Sequence, residues 1–178
     1  MAYTPIVGTL AYLLDNSDES SPNVLLVHRI ARSDDEHLGK WNGLGGKLEP
    51  REDVAAGMRR ELQEEASIEV DAMTLRGTVN WPGFGPNGED WLGFVFLVTA
   101  WSGTPPRHND EGNLEWISLA RLLRACSSDA NIRDDAMLPM WEGDRHFLPL
   151  VFDDDARAFH GVMPYAGGRP QSWNFERW

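Results

Sequence analysis

Gly46-Lys-Leu-Glu-Pro-Arg-Glu52-Asp-Val-Ala-Ala-Gly-Met-Arg-Arg60-Glu61-Leu-Gln-Glu64-Glu65-Ala-Ser67-Ile68 is the stretch on which the reading of this chain turns. Its apolar residues Val54, Met58, Leu62 and Ala66 recur every fourth position, which predicts a helix from about Asp53 to Ala66 with one buried stripe. Asp53 is placed to cap its N-terminus. On that helix Glu61 and Glu65 sit one turn apart on the same face, with Glu64 one position to the side. Three carboxylates so close repel one another unless something positive compensates. An acidic ridge backed by the apolar anchor of Leu62 and Ala66 suits a hard divalent cation, which prefers oxygen ligands. The charges taken alone more often mean a solvated acidic face, with Arg59 and Arg60 as ion-pair partners.

Working outward, residues 4–14 and 24–28 read as strands joined by the polar loop 15–23. A glycine-rich stretch, Gly39 to Gly46, leads into the helix. Residues 68–81 and 91–101 form further strands on either side of the turn-rich 82–90, followed by a short strand at 113–117. Residues 118–125 and 144–152 read as helices, 127–138 as an irregular surface insertion, and 157–165 with 171–176 as a hairpin. No repeat or linker divides the chain, so one domain over 1–178 is expected, in the mixed α/β class with helices packed on sheet.

The net charge of −12 narrows the partners. A surface this acidic, with no basic stripe, repels the backbone of DNA or RNA. A phosphate substrate would then need a cation held by carboxylates to bridge it to the protein. No apolar run is long enough to span a membrane, and no basic leader precedes one, so no membrane contact and no secretory signal are expected. The single cysteine, Cys126, leaves no internal disulfide and fits a reducing, cytoplasmic setting. The sequence carries no signal for oligomeric state.

The spacing within the opening stretch resembles the Nudix box: Gly46, five residues, Glu52, seven residues, then Arg60-Glu61-Leu62, Glu64-Glu65 and Ile68. One position departs, Ser67 standing where the box carries a helix-ending glycine. The resemblance implies a mixed sheet sandwiched between helices (α/β/α), with the box forming a loop–helix–loop that binds Mg²⁺ or Mn²⁺. By resemblance, Glu61, Glu64 and Glu65 are metal ligands beside a backbone carbonyl of Gly45 or Gly46. Glu52 and Arg60 hold the loop and orient the ligands. The metal would neutralise and align a polyphosphate and activate a water, with Glu64 or Glu65 accepting its proton.

Three further runs are similar to MutT-like enzymes that hydrolyse 8-oxo-dGTP: Trp41-Asn42-Gly-Leu44-Gly45-Gly46-Lys47, Asn109-Asp-Glu111-Gly-Asn-Leu-Glu-Trp116 and Met140-Trp141-Glu-Gly143-Asp144-Arg-His-Phe147. That likeness implies a further metal-binding glutamate at Glu111, and substrate contacts along the loop from Asn42 through Leu44, Gly45 and Gly46 to Lys47. It also implies a purine pocket in which Asn42 and Asp144 read the base edge while Trp81, Trp141 and Phe147 stack on or wall it. Thr9 and Arg29 match positions near the sugar and phosphates. Mammalian-type members carry two adjacent aspartates where this chain has Gly143-Asp144. Trp41, Trp101 and Trp116 are assigned to packing, all five histidines are expected to be structural or superficial, and Asp153–Asp155 to be a solvated helix end.

The activity implied is hydrolysis of an oxidised purine nucleoside triphosphate to monophosphate and pyrophosphate. The box is equally compatible with a general nucleoside triphosphatase, or with a hydrolase of dinucleoside polyphosphates or nucleotide sugars. A nucleotide-sensing domain without catalysis is the alternative of another kind, and the intact Glu61, Glu64 and Glu65 speak against it.

Overall fold

Alternation along two central strands sets the architecture of the computed structural model, which describes residues 2–35 and 37–178. In β1 (Ile6–Asp15), Ala11 and Leu13 are buried in one apolar cluster while Tyr12 is buried in another. β2 (Asn23–Arg29) divides likewise, Leu25 and Val27 to the first cluster and Val24 and Leu26 to the second. Both faces of the sheet are therefore covered, which is why these strands read as nearly continuous apolar runs.

The first cluster lies under α1 (Val54–Ala66), whose Met58, Leu62 and Ala66 are fully buried, as their four-residue spacing predicts. The second lies under α4 (Asp144–Phe152), through Phe147, Leu148 and Val151, and under α2 (Leu119–Ala125), through Leu122 and Ala125. The α/β/α sandwich expected from the sequence is thus the observed fold.

The sheet is mixed. Besides β1 and β2 it contains β3 (Trp41–Asn42), β4 (Glu69–Trp81), β5 (Trp91–Ser102), β6 (Gly112–Ser118), β7 (Phe159–Val162) and β10 (Asn174–Arg177). The order is β10-β7-β4-β5-β1-β2-β3, with β6 on β2. β1 with β5 and β4 with β7 run parallel, and the other pairs antiparallel. The expected C-terminal hairpin is present as β7 with β10, and between its arms sits a small antiparallel pair, β8 (Tyr165–Ala166) with β9 (Arg169–Pro170).

Local chemistry fixes the ends of α1. Asp53 accepts hydrogen bonds from the Ala55 and Ala56 amides, both at 2.9 Å. Ser67 ends the helix in the left-handed region (φ 55°, ψ 38°) and donates its amide to Gln63. The conformation a glycine would adopt without penalty is retained here by serine, at a cost of about 1 kcal/mol.

Two readings of the sequence are corrected. The segment 127–138 is not purely an irregular surface insertion: it contains α3 (Ala130–Asp135), capped by Asp129, and Ala136 and Leu138 are buried in the second cluster. Arg121 fastens that segment by donating to the carbonyls of Ala136 and Met137, both at 2.8 Å. Asp153–Asp155 is not merely a solvated helix end. The buried Arg76 closes the end of α4 on the Val151 and Asp153 carbonyls (2.9 and 3.0 Å), and Arg177 pairs with Asp153 at 2.5 Å. Trp101 and Trp116, assigned to packing, do stack on each other, rings 5.8 Å apart, with Trp116 still 39 % exposed.

Candidate active site

The site begins where the sheet parts. β1 pairs with β2 only at residues 13–15, and the other half of that edge is taken by the glycine-rich loop. Leu44 and Ala11 exchange backbone hydrogen bonds (2.7 and 3.0 Å), the Thr9 amide donates to the Gly46 carbonyl (2.8 Å), and the Leu48 amide to the Val7 carbonyl (2.9 Å). This close approach requires glycine at position 45, which has φ +146° and where a Cβ would overlap the Thr9 carbonyl. The loop is thereby held against the strand, and a cleft of about 370 Å³ opens beside it.

On the helix side, Glu65 accepts the Gly45 amide on Oε2 (3.0 Å). A Cβ at Gly46 would come within 2.5 Å of Glu61 Oε1, so the bare backbone there makes room for that carboxylate. Arg60 binds Glu52 through Nε (2.7 Å) and Nη2 (3.1 Å), and through Nη1 reaches Glu61 (2.9 Å) and Glu64 (3.2 Å). Its Nη2 also meets the Lys47 carbonyl at 3.1 Å. Arg60 is therefore the clasp between loop and helix, and its hydrogen bond holds the half-buried Glu52 carboxyl below the usual range.

From the other side, Asn109 donates to the Glu65 carbonyl (3.2 Å) and accepts the amides of Glu111 (2.9 Å) and Gly112 (3.1 Å), setting Glu111 over the helix end. Arg29 pairs with Glu111 and, at 2.7 Å, with Asp35. Burial, and then the charge of Glu111, push the Glu65 carboxyl up to about 8, while burial raises Glu61 less strongly.

This donor set fits a divalent cation. After burial, the negative charges of Glu111 and Glu61 raise the proton affinity of Glu65, and those of Glu64 and Glu111 raise that of Glu61, as expected for carboxylates gathered at a site built for positive charge. Among the described residues, though, no group of three or more His, Cys, Asp or Glu side chains is drawn together as a finished cage. The arginines explain this, since Arg60 holds Glu61 and Glu64 and Arg29 holds Glu111. Glu64, 60 % exposed in its side chain, stands furthest out.

The cleft gathers Thr9, Arg29, Asn42, Gly45, Gly46 and Lys47 with Trp81, Glu111, Trp141 and Asp144. Two residues expected at the substrate are not in its wall. Leu44 is fully buried in the cluster beneath α1, with only its backbone paired to β1. Phe147 is also fully buried, behind Trp81 (6.0 Å between rings) and against Phe159, because the second turn of α4 faces the core. Asp144, in the first turn, is the residue of α4 that lines the cleft, and burial pushes it up to about 7.

Sequence reading missed part of the wall. His37, Phe84, Trp91 and Tyr165 also line the cleft. His37, expected to be structural or superficial, holds the wall together: its Nδ1 takes the Trp141 indole N–H at 2.8 Å. Phe84 sits in the 82–90 turn and meets Trp141 and Tyr165 edge-on (5.4 and 5.0 Å). Its signal was an aromatic residue among turn-forming glycines. Two buried polar atoms in the wall, Thr9 Oγ1 and Trp91 Nε1, have no protein partner.

A sheet sandwiched by helices, with a carboxylate helix meeting a nucleotide-sized cleft, defines a hydrolase of the Nudix class. The chain belongs to this family: residues 4–141 match the NUDIX domain model. It is 26% identical over 151 residues to the uncharacterized Nudix hydrolase YvcI of Bacillus subtilis, covering 83% of this chain and 82% of that one. It is also 26% identical over 129 residues to an oxidized purine nucleoside triphosphate hydrolase of Danio rerio, covering 72% of each. Among solved structures, a mutator MutT protein from Bacillus halodurans superposes with a TM-score of 0.74 at 24% identity, covering 96% of this chain and 97% of that one. That last likeness concerns the fold.

Proposed function

We propose that this enzyme hydrolyses an oxidised purine nucleoside triphosphate to the monophosphate and pyrophosphate, with Mg²⁺ or Mn²⁺ as cofactor. The observation that carries the reading is continuity. Asn42, Trp141 and Asp144, suited to a purine, line the same cleft as Glu111 and the Gly45–Gly46 backbone, suited to a metal-bound polyphosphate. The oxidised base draws its support from the Danio rerio relative, whose name specifies that substrate.

A cation held by Glu61, Glu64, Glu65 and Glu111 near the Gly45 and Gly46 carbonyls would supply charge neutralisation and an activated water. The chain's own residues do the rest. Glu65 keeps Oε2 on the Gly45 amide and leaves Oε1 to take the water's proton. Arg60 and Glu52 fix the helix against the loop, so the carboxylates keep their spacing through the reaction. Lys47 and Arg29 offer positive charge to the phosphates, and Thr9 Oγ1 an unspent hydroxyl to the nucleotide.

Asp144 titrates near neutrality, so it can donate to a base acceptor when protonated and accept from a base N–H when ionised. Gly143 leaves it without a neighbouring acid. The Tyr165 hydroxyl and Met163 sulfur occupy the space a side chain at 143 would need.

The proposal treats residues 1–178 as one functional domain. The segment beyond the matched 4–141 brings Asp144 and Tyr165 to the cleft and adds β7 to β4. Hydrolysis in ¹⁸O-water with product analysis tests the bond. Label in the monophosphate or pyrophosphate, with no labelled inorganic phosphate, is expected; nucleoside diphosphate plus phosphate would rule this cleavage out.

A further inference from the structure

We propose that His37 is a positioning residue for the base cavity, holding the Trp141 indole and the Asn42 amide on one ring nitrogen so that Asn42 turns its carbonyl oxygen toward the base. The inference rests on the nucleotide reading of the cleft, and it adds a residue to which neither the sequence motifs nor the relatives' names assign a role.

The geometry fixes the hydrogens. A tryptophan indole nitrogen can only donate. Because Trp141 Nε1 lies 2.8 Å from His37 Nδ1, that nitrogen is an acceptor and the ring proton sits on Nε2. Asn42 Nδ2 approaches the same Nδ1 at 3.3 Å. An acceptor there admits only the NH₂ end of the amide, so the two orientations of Asn42 are not equivalent. Oδ1 is left to face the cleft, together with one N–H. The pocket then selects base edges that offer a donor to that oxygen.

The surroundings keep the imidazole neutral and still. Burial, reinforced by the charge of Arg29, lowers His37 to about 4, with Lys40 acting in the same sense and Asp35 opposing. Asp35 Oδ1 accepts the His37 backbone amide (2.9 Å) and is itself anchored by Arg29. Trp141 is steadied on its other faces by Phe84 and by the Lys40 ammonium, 4.3 Å from the ring centre. His37 and Trp141 meet edge-to-face, 5.2 Å apart at 84°. A residue 104 positions away in sequence is thereby locked to the loop that carries Asn42.

The test compares His37→Phe, which keeps a ring but removes the acceptor, with His37→Asn, whose amide oxygen can stand where Nδ1 stands. Kinetics are run on whichever nucleotide the wild type turns over best. His37→Phe should raise KM roughly ten-fold with kcat within about two-fold, and His37→Asn should restore KM to within about three-fold. Inhibition by inorganic tripolyphosphate, which has no base, should not change in either variant. An unchanged KM in His37→Phe, or equal losses in both variants, would overturn the proposal. Imidazole ¹⁵N shifts of the wild-type protein at pH 7 supply a check that needs no variant: the Nε2–H tautomer is expected, and the Nδ1–H tautomer contradicts the assignment. Failure of the oxidised-purine reading would instead show in the wild-type substrate preference, with the His37 comparison still readable.

Discussion

Arg60 and Glu52 form a two-pronged ion pair, Nε to Oε1 at 2.7 Å and Nη2 to Oε2 at 3.1 Å, that joins the segment following the glycine-rich loop to the carboxylate helix eight residues later. The same guanidinium touches Glu61 and Glu64, so one cation restrains three carboxylates. Arg60→Ala should therefore lower the melting temperature of the metal-free protein, by about 1–2 kcal/mol of stability for a network of this kind. Arg60→Lys, which keeps the charge without the planar fork, should recover less than half of that loss. Thermal melts of the three proteins under metal-free conditions check this.

Glu65 predicts a pH dependence. Its folded-state affinity for a proton is raised, to about 8, above the ordinary carboxylate value. The native state thus holds a proton that the unfolded chain releases, and this contribution is full at low pH and disappears as pH rises toward 8. Asp144, raised to about 7, acts in the same direction. Metal-free protein should accordingly lose stability between pH 5 and 8, and Glu65→Gln should be more stable than wild type at pH 8 by about 2 kcal/mol. Calorimetry at both pH values reads this; a flat difference between variant and wild type would contradict it.

Millimolar Mg²⁺ at pH 8 should raise the melting temperature of the wild type by several degrees, because binding to the native state relieves the Glu61–Glu65–Glu111 repulsion. In Glu65→Gln the rise should be at most half as large, and turnover should fall at least a hundred-fold with the fold retained. A catalytically silent sensor would have no turnover to lose.

Gly143 lies against Met163 Sδ, which an added Cβ would approach to 2.5 Å, and against the Tyr165 hydroxyl. Gly143→Ala should destabilise the protein by about 1–3 kcal/mol through overpacking. Tyr165→Phe in the same chain should return part of that stability. Denaturant titrations of the single and double variants decide whether the two positions are coupled.

Trp141→Ala should weaken nucleotide binding about ten-fold or more while leaving the fold intact, since the ring lines the cleft and only partly joins the core. Titration of the metal-free protein with a nucleotide, alongside a melting curve, separates these effects. A stability loss comparable to that of a buried tryptophan, about 3–5 kcal/mol, would make it a core residue instead.

The carboxylate helix was legible because its information is local. The stripe of Met58, Leu62 and Ala66, the Asp53 cap and the left-handed Ser67 all follow from neighbours within a few turns. The cleft was less legible because its wall is assembled across the chain. His37 gained meaning only when the fold set it beside Trp141, and Tyr165 only when β8 brought it against Gly143. Phe147 was placed in the pocket by the likeness of the 140–147 run to MutT-like enzymes, whereas α4 turns its ring into the core. The polar composition of 127–138 hid Ala136 and Leu138, whose burial depends on packing against distant strands rather than on local pattern.

The central claim is that one cleft serves an oxidised purine base at one end and a metal-bound polyphosphate at the other. The most direct test is the ratio of kcat/KM for 8-oxo-dGTP to that for dGTP, measured with Mg²⁺ beside ADP-ribose and a dinucleoside polyphosphate. The account predicts that 8-oxo-dGTP is the best substrate, by at least ten-fold over dGTP. Turnover of dGTP or ADP-ribose at an equal or higher rate would contradict it.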